Sequence, residues 1–195
     1  PMGLLIDSKG CHVDSSVVTD LEAILQNDPL DDPALLHRAA TCIAQIKDWH
    51  LSKYNVAPLD APRPNPGYVL VVDQTRGDAS IRKSGAEAAT FARMLAQAQQ
   101  DHPDTPIILK THPETVAGLR GGHFTENDLR PGDILWDHPT PVQHLFDGAK
   151  AVYVVSSQMG FEAILHGHAP QVFGQPFYMG WGLTTDHALS LIHIS

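Results

Sequence analysis

Apolar residues follow two different rhythms along this chain, and the change from one to the other divides it. Between 33 and 49, Leu35, Leu36, Ala39, Ala40, Ile43, Ile46 and Trp49 recur at helical spacing. That spacing predicts a packing helix with one apolar face over about three to four turns. Asp32-Pro33 in front of it supplies an N-cap and a proline at the first helical position, and Thr19-Asp-Leu-Glu22 further upstream reads as a capping box. From 68 onward the apolar residues come instead in short runs, first the fully apolar Tyr68 to Val72 and then the strand candidates Ile107 to Leu109, Asp133 to Trp136, Ala151 to Val155 and Gln171 to Phe173. Runs without alternation suit strands covered on both faces. Between the first two, Ser84-Gly-Ala-Glu87 reads as the opening of a helix whose apolar face is Ala88, Phe91, Met94, Leu95 and Ala98. Thr140-Pro141 starts another helical or loop segment, and Gly160 to Leu165 is helix-compatible. Strands alternating with helices predict an α/β fold, a Rossmann-like doubly wound parallel sheet.

Two stretches stand outside this alternation. Leu4 to Asp7 and His12 to Asp14 flank Ser8-Lys9-Gly10, a pattern that predicts a small hairpin in a sheet completed by strands outside this chain. Pro58, Pro62, Pro64 and Pro66 make 58–67 a stiff joint that can enter neither a helix nor a central strand. The expected organisation is therefore a lead-in over 1–57, the joint, and an α/β domain over 68–186.

Composition narrows the chemistry. With 195 residues, 43 % of them hydrophobic, the chain can fill a core, and a net charge of -9 argues against broad nucleic-acid binding. Anions would have to be held by local groups. No apolar run approaches the ~20 residues of a membrane span, and no basic-then-apolar signal segment is present. Cys11 and Cys42 stand alone and read as free thiols, so a cytoplasmic location is expected. Among twelve histidines there is neither an HExxH nor a Cys/His pairing with zinc-site rhythm, so no metal is expected. His123, His144, His166 and His168 read as surface or core residues.

In a doubly wound sheet, ligands bind outside the carboxyl ends of the strands. The residues at those ends are Asp73 and Gln74, then Lys110 and His112, Asp137 and His138, Ser156, Ser157 and Gln158, and finally Gly174 and Gln175. Each has two readings. Asp73 is a strand-end turn residue or a carboxylate aimed into the cleft as nucleophile or base. Lys110 and His112 solvate a loop or pair with phosphate oxygens. Ser156 or Ser157 caps the following helix, whose N-terminus also suits an anion. Glu162, in the first turn, is an acid favoured by the helix dipole or an acceptor for two ribose hydroxyls. Arg76-Gly-Asp78 forms a polar turn in which glycine permits close approach of backbone to a ligand. There is no GxxxxGK[ST], no GxSxG elbow and no GxGxxG, so a nucleotide with few phosphates fits better than a triphosphate or a dinucleotide, and no cofactor is expected.

Four stretches carry a family resemblance: Val-Leu-Val-Val-Asp-Gln-Thr-Arg-Gly-Asp-Ala-Ser-Ile (69–81), Lys-Thr-His-Pro (110–113), Val-Tyr-Val-Val-Ser-Ser-Gln-Met-Gly-Phe-Glu-Ala (152–163) and Phe-Gly-Gln-Pro-Phe-Tyr-Met-Gly-Trp-Gly-Leu-Thr (173–184). Together with Leu-Ser-Lys-Tyr-Asn (51–55), they make the chain resemble the capsule polysaccharide β-Kdo transferases of the KpsC type, up to about Asp186. The resemblance implies the donor-binding C-terminal half of a two-domain GT-B glycosyltransferase, preceded by a remnant of the acceptor half. It further implies transfer of Kdo from CMP-Kdo, with retention, to a lipid-linked acceptor, and a possible peripheral association of the complete protein with the inner membrane. Asp73 would be the nucleophile and His112 would contact the CMP phosphate. Ser156, Ser157, Gln158 and Glu162 would hold phosphate and ribose, with Gln74 and Arg76 of the Asp73 motif also counted as donor-binding. Lys110 is added for the phosphate or the Kdo carboxylate. Most of the acceptor half, with any general acid, would lie upstream, and 187–195 departs from the family and reads as a non-native tail. Two other functions fit the same cleft: a nucleotide-sugar epimerase preferring UDP-sugars, and a non-catalytic capsule export or assembly module.

Overall fold

A computed structural model describes residues 6–53 and 57–188. Among these residues β1 (Tyr68–Val72), β2 (Ile107–Lys110), β3 (Ile134–Trp136), β4 (Ala149–Val154), β5 (Gln171–Val172) and β6 (Thr185–Asp186) form one sheet. Its order is β3-β2-β1-β4-β5-β6, and every pairing is parallel. Chain direction across the sheet reverses between β1 and β4, which makes that gap the topological switch point.

The unbroken apolar runs are explained by cores on both faces. Val69 and Val71 pack with Phe91, Met94 and Leu95 of α4 (Ala88–Asp101) on one side. Tyr68, Leu70 and Val72 pack on the other with Leu145 and Phe146 of α6 (Val142–Gly148) and Ala163 of α7 (Gln158–Leu165). Every residue of β1 is buried, as a central parallel strand requires.

Helix α4 starts later than its sequence suggests. Glu87 is the N-cap, its N–H donating to Thr90 Oγ1 at 3.1 Å, and Ala88 is exposed. Ser84 instead ends a short helix α3 (Ala79–Lys83), with its Oγ donating to Ile81 O at 2.9 Å. Gly85, at φ +69°, carries the reversal between the two helices, a conformation that side chains with a Cβ disfavour. Asp78 caps α3 by accepting from Ser80 N, so the polar turn at 76–78 is a helix entry.

The lead-in departs further. Helix α1 (Asp20–Asn27) has its capping box, Glu22 N donating to Thr19 Oγ1 at 3.2 Å and Thr19 N to Glu22 Oε2 at 2.8 Å. Helix α2 (Pro33–Asp48) has its cap, with Asp32 Oδ1 accepting from Ala34 N at 2.8 Å. Yet α2 buries none of its residues, so the expected packing face is open, and Leu35 and Leu36 are 50 % and 52 % exposed. The expected hairpin does not form over its described part, 6–14, which is built of bends and turns; Leu4 and Leu5 lie outside the described residues. A local competitor wins there: Asp7 Oδ1 accepts from Lys9 N and Gly10 N, both at 3.0 Å, and Oδ2 from Asp20 N at 2.9 Å. Asp14 ties this segment to α3 through Lys83 Nζ at 2.8 Å.

The proline-rich joint turns rather than running straight, with Ala61 N donating to Pro58 O at 3.0 Å. Thr140 Oγ1 then docks it by donating to Pro62 O at 3.0 Å. At the far edge His187 N donates to Val172 O at 2.8 Å and its ring stacks on Phe173 at 4.2 Å. The remainder of the expected tail, 189–195, lies outside the described residues.

Candidate active site

A cleft of about 380 Å³ opens over the switch point, lined by Asp73, Gln74, Lys110, His112, Ser156, Ser157, Gln158 and Glu162. Arg76 is the expected site residue that the fold does not bring in. It is exposed and outside the lining; its N–H donates to Gly121 O at 2.8 Å and its carbonyl accepts from Arg120 Nη2 at 3.1 Å. Its contribution to the site is a favourable charge near Asp73.

Asp73 follows β1 and is 2 % exposed. Burial pushes its carboxyl up to about 6, against the backbone N–H groups of His123, Gln74 and Phe124, which favour the ionised form. Gln74 N reaches Oδ1 at 2.8 Å, His123 N reaches both oxygens at 3.1 Å, and Phe124 N reaches Oδ2 at 3.4 Å. The 122–124 loop can approach this closely because residue 122 is glycine: a Cβ there would collide with Asp73 Oδ2. His123 itself stacks on Phe91 at 3.7 Å, so it is a packing residue whose backbone serves the site.

Gln74 bridges the switch point. Its Oε1 accepts from Ser156 N at 3.0 Å and its Nε2 donates to Ser156 Oγ at 3.3 Å, so the ends of β1 and β4 are held together by one side chain. Ser157, not Ser156, caps α7, with Oγ accepting from Met159 N at 3.2 Å. The Ser157 carbonyl accepts from Tyr178 OH at 2.6 Å, and Tyr178 fits because Gly160 lacks a Cβ that would collide with its hydroxyl. The first turn of α7 therefore borders the cleft through Gln158 and Met159 from a clamped position, with Met159 N donating to Ser157 Oγ and Gly160 N to Ser157 O.

Glu162, 8 % exposed, accepts from Lys53 N at 3.0 Å and from Ser52 Oγ at 3.2 Å. Burial raises its pKa above the ordinary glutamate value, opposed by these two donors. His112 caps the short helix α5 (Pro113–Val116): its Nδ1 accepts from Glu114 N at 3.1 Å, which leaves the ring proton on Nε2. Burial lowers its pKa, so the ring is neutral near pH 7. Lys110 lines the cleft, but its ammonium already donates to the carbonyls of Thr111, His138 and Trp136 at 3.0, 3.3 and 3.4 Å. Its three protons tie the ends of β2 and β3 together, and burial brings its pKa down to about 8.

Strand-end position does not single out several lining residues, His12, Ser52 and Lys53 from the lead-in and Phe177 and Tyr178 beyond β5, although all but His12 lie in stretches that carry the family resemblance. Of the other strand-end candidates Asp137 lines the cleft, whereas His138, Gly174 and Gln175 do not. No helix among the described residues is long and apolar enough to cross a membrane.

The family model described as capsule polysaccharide biosynthesis protein matches residues 33–193. The chain belongs to the capsule polysaccharide biosynthesis protein family. This capsule-family chain is 35 % identical over 193 residues to the capsule polysaccharide modification protein LipA of Neisseria meningitidis serogroup B, covering 95 % of itself and 27 % of LipA. It is 33 % identical over 191 residues to the lipopolysaccharide-processing protein LpsZ of Rhizobium meliloti, covering 43 % of that protein. Among solved structures it is similar to Thermosulfurimonas dismutans KpsC, β Kdo 2,4 transferase, with a TM-score of 0.87 and 33 % identity, over 95 % of this chain and 59 % of that one. The KpsC β Kdo 2,7 transferase matches with a TM-score of 0.68 at 24 % identity, a likeness of fold alone. The resemblance read from the four motifs thus holds, and the capsule-family chain spans between about a quarter and three fifths of the relatives it matches.

Proposed function

We propose that this capsule-family domain binds CMP-Kdo in the switch-point cleft and, within the complete protein, transfers Kdo with retention to a lipid-linked acceptor. The observation that carries this reading is Asp73: a buried carboxylate at the end of β1, gripped by backbone N–H groups and facing the same cleft as the N-terminus of α7. Similarity to the KpsC β Kdo 2,4 transferase supports it.

In the first step an Asp73 carboxylate oxygen attacks the anomeric carbon of Kdo. The bond from that carbon to the CMP phosphate oxygen breaks, and CMP departs with the electron pair. Departing negative charge is met by the N–H groups of the first turn of α7, which together carry about half a positive charge, and by the Nε2–H of His112. In the second step the acceptor hydroxyl oxygen attacks the same carbon from the face CMP has left. The bond to Asp73 breaks, the carboxylate is restored, and the hydroxyl proton passes to a base. Two inversions give net retention.

Burial and hydrogen bonding act on Asp73 in opposite directions, and burial wins. The carboxylate is therefore ionised above pH 6 yet more basic than a solvated aspartate, which suits a nucleophile. The three backbone donors fix its direction before the sugar arrives. Glu162 would accept ribose hydroxyls in exchange for the Ser52 hydroxyl that donates to it.

Thermal unfolding with CMP or UDP tests the donor assignment, since a ligand at 100 times its Kd stabilises by about 2.7 kcal/mol. CMP is expected to raise Tm at concentrations where UDP does not. An equal response to UDP would favour an epimerase, and no response to either nucleotide would remove the donor site.

A further inference from the structure

Behind the strap that carries Ser52 lies a second cavity, of about 220 Å³, lined by Trp49, His50, Ser52, Ala57, Leu59, Pro141 and Gln143. Ser52 and Ala57 also line the donor cleft, so the two spaces adjoin. Gln143 is 3 % exposed, and neither its Oε1 nor its Nε2 has a hydrogen-bond partner among the described residues. The Nδ1 atoms of His50 and of the adjoining His144, whose rings meet at 6.0 Å, are buried and unpartnered as well. Folded proteins rarely leave such groups unsatisfied, because each lost partner costs a desolvated donor or acceptor. A full amide here, able to donate and to accept, is matched to a ligand that does both.

At the mouth stands Trp49, 65 % exposed at the end of α2, a flat apolar ring beside that polar interior. Leu59 and Pro141 complete an apolar wall. Apart from the His50 imidazole no ionisable side chain lines the cavity among the described residues, so a phosphate, a carboxylate or an ammonium would find no counter-charge. Hydroxyl groups on a compact ring with an apolar C–H face fit every one of these surfaces. We infer that this cavity is a subsite for one neutral pyranose unit of a glycan, seated against Trp49 and hydrogen-bonded to Gln143 and His50. The inference rests on the membership in a capsule polysaccharide family and deepens the proposed function by adding a glycan-holding site apart from the CMP-Kdo cleft. Absence of a cation makes it unsuitable for Kdo itself.

Saturation-transfer NMR on the complete protein, with methyl glucoside, methyl galactoside, methyl mannoside and methyl N-acetylglucosaminide as probes, tests it. At least one glycoside is expected to bind saturably, with Kd on the order of 1–10 mM, to be lost in both Trp49→Ala and Gln143→Leu, and to persist when CMP is added. Gln143→Leu, which removes two unpartnered polar atoms, is also expected to raise Tm by about 2–4 °C. Saturable binding by none of the glycosides, or binding unchanged in both variants, would overturn the inference and mark the cavity as a water-filled defect. Displacement by CMP would overturn it by placing the sugar in the donor cleft. Because the CMP thermal shift reads the other cleft, its success or failure is separate from this result.

Discussion

Phe91 on α4 and Leu36 on α2 occupy comparable places in two amphipathic helices, yet one is 1 % exposed and the other 52 %. Both helices are announced by the same signals, a cap followed by apolar residues at helical spacing. What differs is the surface each meets. Helix α4 lies against Val69 and Val71 of a sheet, whereas α2 finds no second apolar layer among the described residues. Periodicity specifies that a stripe exists, and only tertiary structure decides whether it is covered. The lead-in nevertheless reaches the chemistry, because Ser52 and Lys53 close on Glu162. A weakly buried region and a tightly packed one thus share a single site, through a few directed hydrogen bonds.

The sharpest way to separate the two regions is to remove the group that the packed one alone supplies. Asp73→Asn in the complete protein is expected to lower the transfer rate by about 10⁴-fold or more, since it deletes the proposed nucleophile while keeping the side-chain shape. The rate and the unfolding midpoint measured together distinguish lost chemistry from lost structure. Next in size, Phe91→Ala should cost about 3–5 kcal/mol of stability, whereas Leu36→Ala should cost less than about 0.5 kcal/mol, both read from urea unfolding. A cost of several kcal/mol at Leu36 would break the contrast and reveal a partner for α2. Glu162→Gln, at the junction of the two regions, should weaken CMP binding by about 10–100-fold, the loss of hydrogen bonds to a charged acceptor worth about 1.5–3 kcal/mol. Smallest is the response to pH. Because burial pushes the Asp73 carboxyl up to about 6 and the proposed mechanism uses its anion, kcat/KM should be flat above pH 6 and fall about tenfold per unit below it. A flat profile down to pH 5 would detach the reaction from this carboxylate.

Much of the sheet and part of the site are legible in the amino-acid order for local reasons. Strand β1 and the greater part of β2 and β4 are apolar runs, and the residues that end these strands carry the polar groups of the cleft. What escapes local reading is contact between distant segments. The 122–124 loop has no periodicity and sits about fifty residues from Asp73, yet it supplies two of that carboxylate's backbone donors. Ser52 and Glu162 are 110 residues apart. Strand β6, at two residues, is shorter than any pattern can register. The hairpin expected at the start fails for an opposite reason: a local Asp7 turn outcompetes the pairing that a glycine turn suggested. Arg76 lies three positions after Asp73, yet it is exposed and outside the cleft lining, with its backbone N–H donating to Gly121 O beside the 122–124 loop.

The most direct test of the central claim is a search for the covalent intermediate. The complete protein would be mixed with CMP-Kdo in the absence of acceptor, quenched in acid, digested and mapped by mass spectrometry. The account predicts one Kdo equivalent on the peptide containing Asp73, accompanied by release of CMP and absent from Asp73→Asn. Release of CMP without any adduct at Asp73, or an adduct that persists in the Asn variant, would contradict it.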